Sequence, residues 1–196
     1  MSDRKTFVER VTRETQITLD LDLAGDRRIE VSTGLAFLDH MLSGLAFHAG
    51  WDLRLECSGD LEVDDHHTVE DCALALGSAI DQCLGERRGI ARFGWAYAPL
   101  DEALARVVVD LSGRPAPVVS LGLKRERLGQ VATENLEHFF SSLAVAVRGA
   151  MHVDVLRGEN DHHRAEAAFK ATALALKAAL AVDETVDTPS TKGALL

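Results

Sequence analysis

Eight histidines stand in the 196-residue chain, and two adjacent pairs among them carry the first sign of chemistry. His66-His67 is followed by Glu70, and His162-His163 by Glu166, so each pair has a carboxylate three and four residues beyond it. On a helix those separations bring side chains to one face. Single histidines, His40 and His138, precede the pairs by 26 and 24 residues. His48 and His152 have no counterpart in this pattern and read as ordinary core or surface histidines. Imidazole and carboxylate donors suit manganese, iron or zinc, and the lack of thiolates in the cluster weighs against structural zinc. Neighbouring positions on a helix diverge by about 100°, so His66 and His67 can hardly serve one ion. Each pair is therefore divided between two ions. Six histidines and two glutamates then supply three histidines and one glutamate per ion, which in octahedral geometry keeps two positions open for substrate or water.

The residues around these histidines recur. Leu38-Asp39-His40-Met41-Leu42-Ser43-Gly44-Leu45-Ala46 returns as Leu136-Glu137-His138-Phe139-Phe140-Ser141-Ser142-Leu143-Ala144. Asp65-His66-His67-Thr68-Val69-Glu70 returns as Asp161-His162-His163-Arg164-Ala165-Glu166. Two matches in the same order predict a duplicated unit, residues 1–84 and 85–184, with 185–196 as a C-terminal tail and the whole one compact body. In the first half Ile17, Leu19 and Leu21 alternate, Gly25-Asp26 turns the chain, and Ile29 and Val31 begin a returning strand. Leu38, Met41, Leu42 and Leu45 follow i, i+3, i+4, i+7 and predict an amphipathic helix. A strand over 51–57 and a helix over 69–84 complete that half. The second half offers strands over 92–97, 103–111 and 117–121, a helix from about 134 to 148, a strand over 151–156 and a helix from about 164 to 180. Each half reads strands, helix, strand, helix: an α/β (α+β) two-layer sandwich with helices over one sheet face.

Composition narrows the functions. With 21 basic against 31 acidic residues the net charge is −10, which weighs against a nucleic-acid binder. No apolar run approaches the roughly 20 residues of a membrane helix, and the N-terminus shows no secretory h-region. Cys57, Cys72 and Cys83 form no Cys-x-x-Cys pair and read as reduced thiols of a cytoplasmic protein. The His-Glu-x-x-His run of zinc proteases and the Walker-type phosphate loop are both missing. Ferritin-like di-iron proteins use Glu-x-x-His on long helices; here the order is reversed and strands intervene. An anion would therefore meet isolated basic residues, of which Arg92, Arg114, Lys170 and Lys192 are candidates. Ser190-Thr191-Lys192-Gly193 adds hydroxyl and backbone donors, and Lys170 lies one turn beyond Glu166 on the ligand face.

Three segments resemble the imidazoleglycerol-phosphate dehydratase family: Phe37-Leu38-Asp39-His40-Met41-Leu42, Asp65-His66-His67-Thr68-Val69-Glu70-Asp71, and the run Glu159-Asn160-Asp161-His162-His163-Arg164-Ala165-Glu166-Ala167-Ala168-Phe169-Lys170-Ala171. Arg10-Val11-Thr12-Arg13-Glu14-Thr15 and Pro189-Ser190-Thr191-Lys192-Gly193 resemble the family's two ends, so the likeness spans essentially the whole chain. With no phosphatase domain attached, the monofunctional form is expected. The resemblance implies a duplicated fold of the ribosomal-protein S5 domain-2 type and the sixth step of L-histidine biosynthesis. There D-erythro-imidazole glycerol phosphate loses water to give imidazole acetol phosphate. It implies two Mn2+ per active site, and a homo-oligomer of 24 subunits with metal sites between subunits that falls to trimers without metal. His40, His66, His67, Glu70, His138, His162, His163 and Glu166 carry over as metal ligands. Glu14, Arg92, Arg114, Lys170, Ser190 and Lys192 carry over as substrate residues, on a small-molecule phosphate.

The implied reaction explains why such a site is needed. The proton to be lost is not acidic, so direct base-promoted elimination is unfavourable. Metal on the ring nitrogens favours imidazolate, which can expel the adjacent hydroxyl to form a diazafulvene. The neighbouring C–H is then acidified. Glu14 is the expected acid/base residue, with a metal-bound water or a ligand glutamate, Glu70 or Glu166, as partner. Two other classes stay open: a dinuclear phosphate-ester hydrolase, and a metal-storage or metal-stabilised scaffold.

Overall fold

The computed structural model describes residues 4–183, 185, 187–193 and 195; of the expected tail, Val186, Ala194 and Leu196 lie outside the described residues. Strand alternation builds the first sheet. In β2 (Thr15–Asp22) Thr15, Ile17, Leu19 and Leu21 are buried and the residues between them are not. β1 (Lys5–Val11) pairs antiparallel with it, Val8 opposite Leu19. After β3 (Ile29–Ser32), α1 (Ala36–Ala49) carries the chain across to β4 (Asp52–Gly59), and α2 (His66–Leu84) closes the half. The strand order is β1-β2-β4-β3, with β4 antiparallel to β2 and parallel to β3.

The second half comprises β5 (Phe93–Leu100), β6 (Ala103–Asp110) and β7 (Ala116–Ser120), then a small hairpin of β8 (Arg127–Leu128) and β9 (Val131–Ala132). α3 (Thr133–Ala146), β10 (Ala150–Arg157) and α4 (Asp161–Ala179) follow. Its sheet runs β5-β6-β10-β7, again with the penultimate strand antiparallel to one neighbour and parallel to the other. The duplicated mixed α/β fold expected from the sequence is present.

Three local readings need correction. The strand begun by Ile29 and Val31 does not return beside the strand of Ile17, because β4 lies between them. β3 and β4 are parallel, and parallel neighbours require a helix-length crossover, which α1 supplies. β1 went unread because only Val8 in it is buried, as suits an edge strand. α4 starts at Asp161 rather than near Arg164, since the Asn160 side chain caps it by accepting the His162 backbone N–H at 2.9 Å.

Each sheet carries its own helices on one face, and the halves meet helix to helix, α2 against α3 and α1 against α4. Leu38, Met41, Leu42 and Leu45 are buried, as the helical spacing predicts. Phe139, Phe140 and Phe169 bring α3 and α4 together with ring centroids 4.7–5.5 Å apart. At β5 the chain has Gly94, where a Cβ would stand 2.0 Å from the Ala175 carbonyl oxygen of α4. The strand admits the helix backbone only because that side chain is absent.

Candidate metal centre

The helix pairing decides which histidines meet. On α1, His40 Nε2 lies 3.3 Å from Glu166 Oε2 of α4, and His162 Nε2 lies 3.2 Å from the same oxygen. On α3, His138 Nε2 lies 3.1 Å from Glu70 Oε1 of α2, whose other oxygen is 3.7 Å from His66 Nε2. In each trio the donor atoms all lie within 4.8 Å of one another. Each cluster thus joins the single histidine of one half to a histidine and the glutamate of the other.

These residues fit metal ions. The His138 Nε2 is buried without a hydrogen bond, because its approach to Glu70 lacks hydrogen-bond geometry. A buried polar atom left without a partner needs an explanation, and two donors aimed at a common point provide one. Burial works against ionisation of Glu166, but the Lys170 ammonium, with His162 and His40, outweighs it and holds the carboxyl below its usual range. That keeps a carboxylate ready to ligate.

Buried side chains aim the ligands. Asn135 donates to Asp65 through Nδ2 at 2.9 Å, so its Oδ1, 3.0 Å from His66 Nδ1, accepts the ring proton. The His66 lone pair is then on Nε2, facing Glu70. The residue before each single histidine does the same job in both halves. Asp39 accepts the Thr33 N–H at 2.8 Å after β3, and Glu137 accepts the Leu121 N–H at 2.9 Å after β7. Asp65 and Asp161, both buried, accept backbone N–H groups, Asp65 from Ala132 of β9 and Asp161 from Lys124 and Arg125 in the segment between β7 and β8.

His67 and His163 belong to neither trio. Their rings stand edge-on to those of His66 and His162, with centroids 5.9 and 6.3 Å apart. Asp60 lies 3.0 Å from His67 Nδ1, and Glu102 lies 2.7 Å from His163 Nδ1. Those hydrogen bonds raise the pKa of both imidazoles. Glu102 in turn is lowered to about 2, chiefly by the Asn160 backbone N–H and then by His163. Neither Asp60 nor Glu102 was singled out in the sequence. Glu102 is 61 residues from its histidine, too far apart for any local spacing rule to point to it.

The expected substrate residues fall into separate groups. Glu14 sits at the β1–β2 turn, its N–H held by Thr12 Oγ1 at 3.1 Å and its Oε1 3.6 Å from His67 Nε2. Lys170 Nζ is 2.7 Å from Glu166 Oε1, and both residues line a cavity of about 390 Å³ with His40, His48 and Phe169. Arg92 has a left-handed backbone, φ 68°, and grips Asp110 through Nε and Nη2 at 2.7 and 3.0 Å. Its Nη1 donates to the Pro189 carbonyl at 2.8 Å, which brings the tail turn of Ser190 and Lys192 beside it. Arg114 is exposed between β6 and β7.

A family model described as imidazoleglycerol-phosphate dehydratase matches residues 33–176. The Candida glabrata imidazoleglycerol-phosphate dehydratase is 56% identical over 96% of this chain and 99% of its own length. The Saccharomyces cerevisiae enzyme is 48% identical over all of both chains. Among solved structures, the dehydratase from Pyrococcus furiosus superposes with a TM-score of 0.82 at 37% identity, over 96% of this chain and 100% of that one. The Staphylococcus aureus enzyme gives 0.80 at 36% identity, over 91% and 99%. The chain belongs to the imidazoleglycerol-phosphate dehydratase family of hydro-lyases.

Proposed function

We propose that this chain dehydrates D-erythro-imidazole glycerol phosphate to imidazole acetol phosphate and water, the sixth step of L-histidine biosynthesis. The observation that carries the reading is the pair of equivalent His-His-Glu trios, each built across the two halves. His40, His162 and Glu166 would hold one metal ion, and His66, Glu70 and His138 another, with Mn2+ favoured over Fe2+ or Zn2+ by the family resemblance. Ions held there would supply Lewis acidity that favours the imidazolate form of the substrate ring, the form from which loss of the adjacent hydroxyl is feasible.

The chain's own residues supply the rest. Glu14 lies near the Nε2 that His67 would offer to an ion, so its carboxylate can take the carbon-bound proton and return it. Glu70 or Glu166 is the candidate partner in that exchange. Arg92, Arg114, Ser190 and Lys192 bind the phosphate, and Lys170 reaches it from the cavity beside Glu166. His67 and His163 belong to neither of their own chain's trios. We read them as the third histidine of sites completed by a neighbouring copy, giving three histidines and one glutamate per ion in a 24-subunit particle.

The test is an assay on imidazole glycerol phosphate with Mn2+ that follows the ketone and free phosphate together. Ketone formation without phosphate release is expected. Phosphate release would favour a metallohydrolase, and no metal-dependent reaction would favour a scaffold.

A further inference from the structure

We propose that Asp60 and Glu102 are positioning residues of the metal centre, holding His67 and His163 with the proton on Nδ1 and the Nε2 lone pair turned outward. The proposal rests on the reading of those two histidines as ligands. Asp60 presents its oxygens at 3.2 and 3.0 Å from His67 Nδ1, and Glu102 Oε2 is 2.7 Å from His163 Nδ1. An ionised carboxylate only accepts, so Nδ1 carries the proton and the neutral ring keeps its lone pair on Nε2. Carboxylates in this position orient metal-bound imidazoles and raise their basicity.

The two halves reach this contact from unrelated positions. Asp60 follows β4, whereas Glu102 stands in the β5–β6 turn. The matching β1–β2 turn of the first half carries Glu14, whose carboxylate lies instead 3.6 Å from the Nε2 side of His67. In the second half that side is taken by Asp101, 3.8 Å from His163 Nε2. The same hydrogen bond made from positions that the duplication does not relate is not a relic of the duplication. Together with Asn135 on His66, it sets the tautomer of three ring systems by three different side chains.

Glu102 divides its oxygens between two tasks. Oε1 accepts the backbone N–H groups of Glu159 at 3.0 Å and Asn160 at 2.8 Å, and Oε2 takes His163. In Glu102→Gln the amide oxygen must stay with the two backbone donors, so the NH2 faces Nδ1. It can only donate there, which moves the ring proton to Nε2 and blocks ligation. A purely structural Glu102 would tolerate the change.

The experiment titrates full-length protein with Mn2+ against a chelating indicator and melts the metal-free protein alongside. Glu102→Gln should weaken one class of Mn2+ sites about 10–100-fold with the metal-free melting temperature unchanged. Asp60→Ala should weaken the other class by a similar factor. Asp60→Asn should restore it, because that side chain can turn its oxygen to Nδ1. Wild-type Mn2+ affinity in Glu102→Gln and Asp60→Ala overturns the proposal. His163→Ala separates the two readings. If it too binds like wild type, the ligand assignment fails; if it loses metal while Glu102→Gln does not, only the positioning role fails.

Discussion

Four of the eight candidate ligands have a polar group behind them. His66 has Asn135, His67 has Asp60, His163 has Glu102, and Glu166 has Lys170. Removing a donor outright should be more damaging than disturbing its support. His66→Ala or His163→Ala is expected to abolish turnover while circular dichroism stays that of the folded protein; near wild-type activity in either variant would remove the two-ion assignment. Substrate residues should separate differently in kinetics. Glu14→Gln keeps the shape at the β1–β2 turn and removes a proton acceptor, so kcat should fall by about 10²–10⁴ with KM little changed. Lys192→Ala or Arg114→Ala should raise KM and leave metal content intact, since neither belongs to a trio. A kcat effect for Lys192→Ala with unchanged KM would place it in the chemistry instead of in phosphate binding.

The elements deliver these residues through helix starts and close packing. α2 begins at His66 and α4 at Asp161, so each histidine pair occupies a first turn and each glutamate the next. α4 in turn is seated on β5 at Gly94, where a Cβ would also come within 2.6 Å of the Ala179 nitrogen. Both obstacles are backbone atoms, so α4 cannot yield by rotating a side chain. Gly94→Ala is expected to cost about 1–3 kcal/mol or more, the range for overpacking, and to displace His162 and Glu166 together. For a chain of this size that is a fall of about 2–4 °C in Tm per kcal/mol. Thermal melting with a parallel Mn2+ titration would show it, and an unchanged Tm would mean that the two elements are less tightly seated than their geometry indicates.

At the scale of the whole molecule, each trio has two histidines and one glutamate, and the outward imidazoles lack a trio of their own among the described residues. If a neighbouring copy completes each site, every ion is also a cross-link, and its binding free energy is association free energy. Chelation at neutral pH should therefore reduce the assembly to a smaller oligomer, the family resemblance implying 24 chains with metal and a trimer without it. Sedimentation of chelated and Mn2+-loaded protein reads this directly. Equal masses, with metal loss confirmed, would show that the ions do not hold the assembly together.

The order of residues by itself determines much of this protein. The His-His-x-x-Glu runs, their single-histidine companions and the repeat that contains them are local patterns, and helical spacing alone places Glu70 and Glu166 beside the pairs. Amphipathic periodicity likewise locates α1 and the alternating strands, because burial of one face is written in the order of residues. It misses β1, an edge strand with one buried residue, for want of that signal. Tertiary structure alone decides that His40 joins His162 and Glu166 of the second half, and His138 joins His66 and Glu70 of the first. That exchange depends on α1 packing against α4 and α2 against α3, a choice made by complementary surfaces far apart in the chain. The same holds for Asp60 and Glu102: a carboxylate can orient an imidazole from any sequence distance, and only the folded chain brings each to 3.0 Å or less from its ring nitrogen.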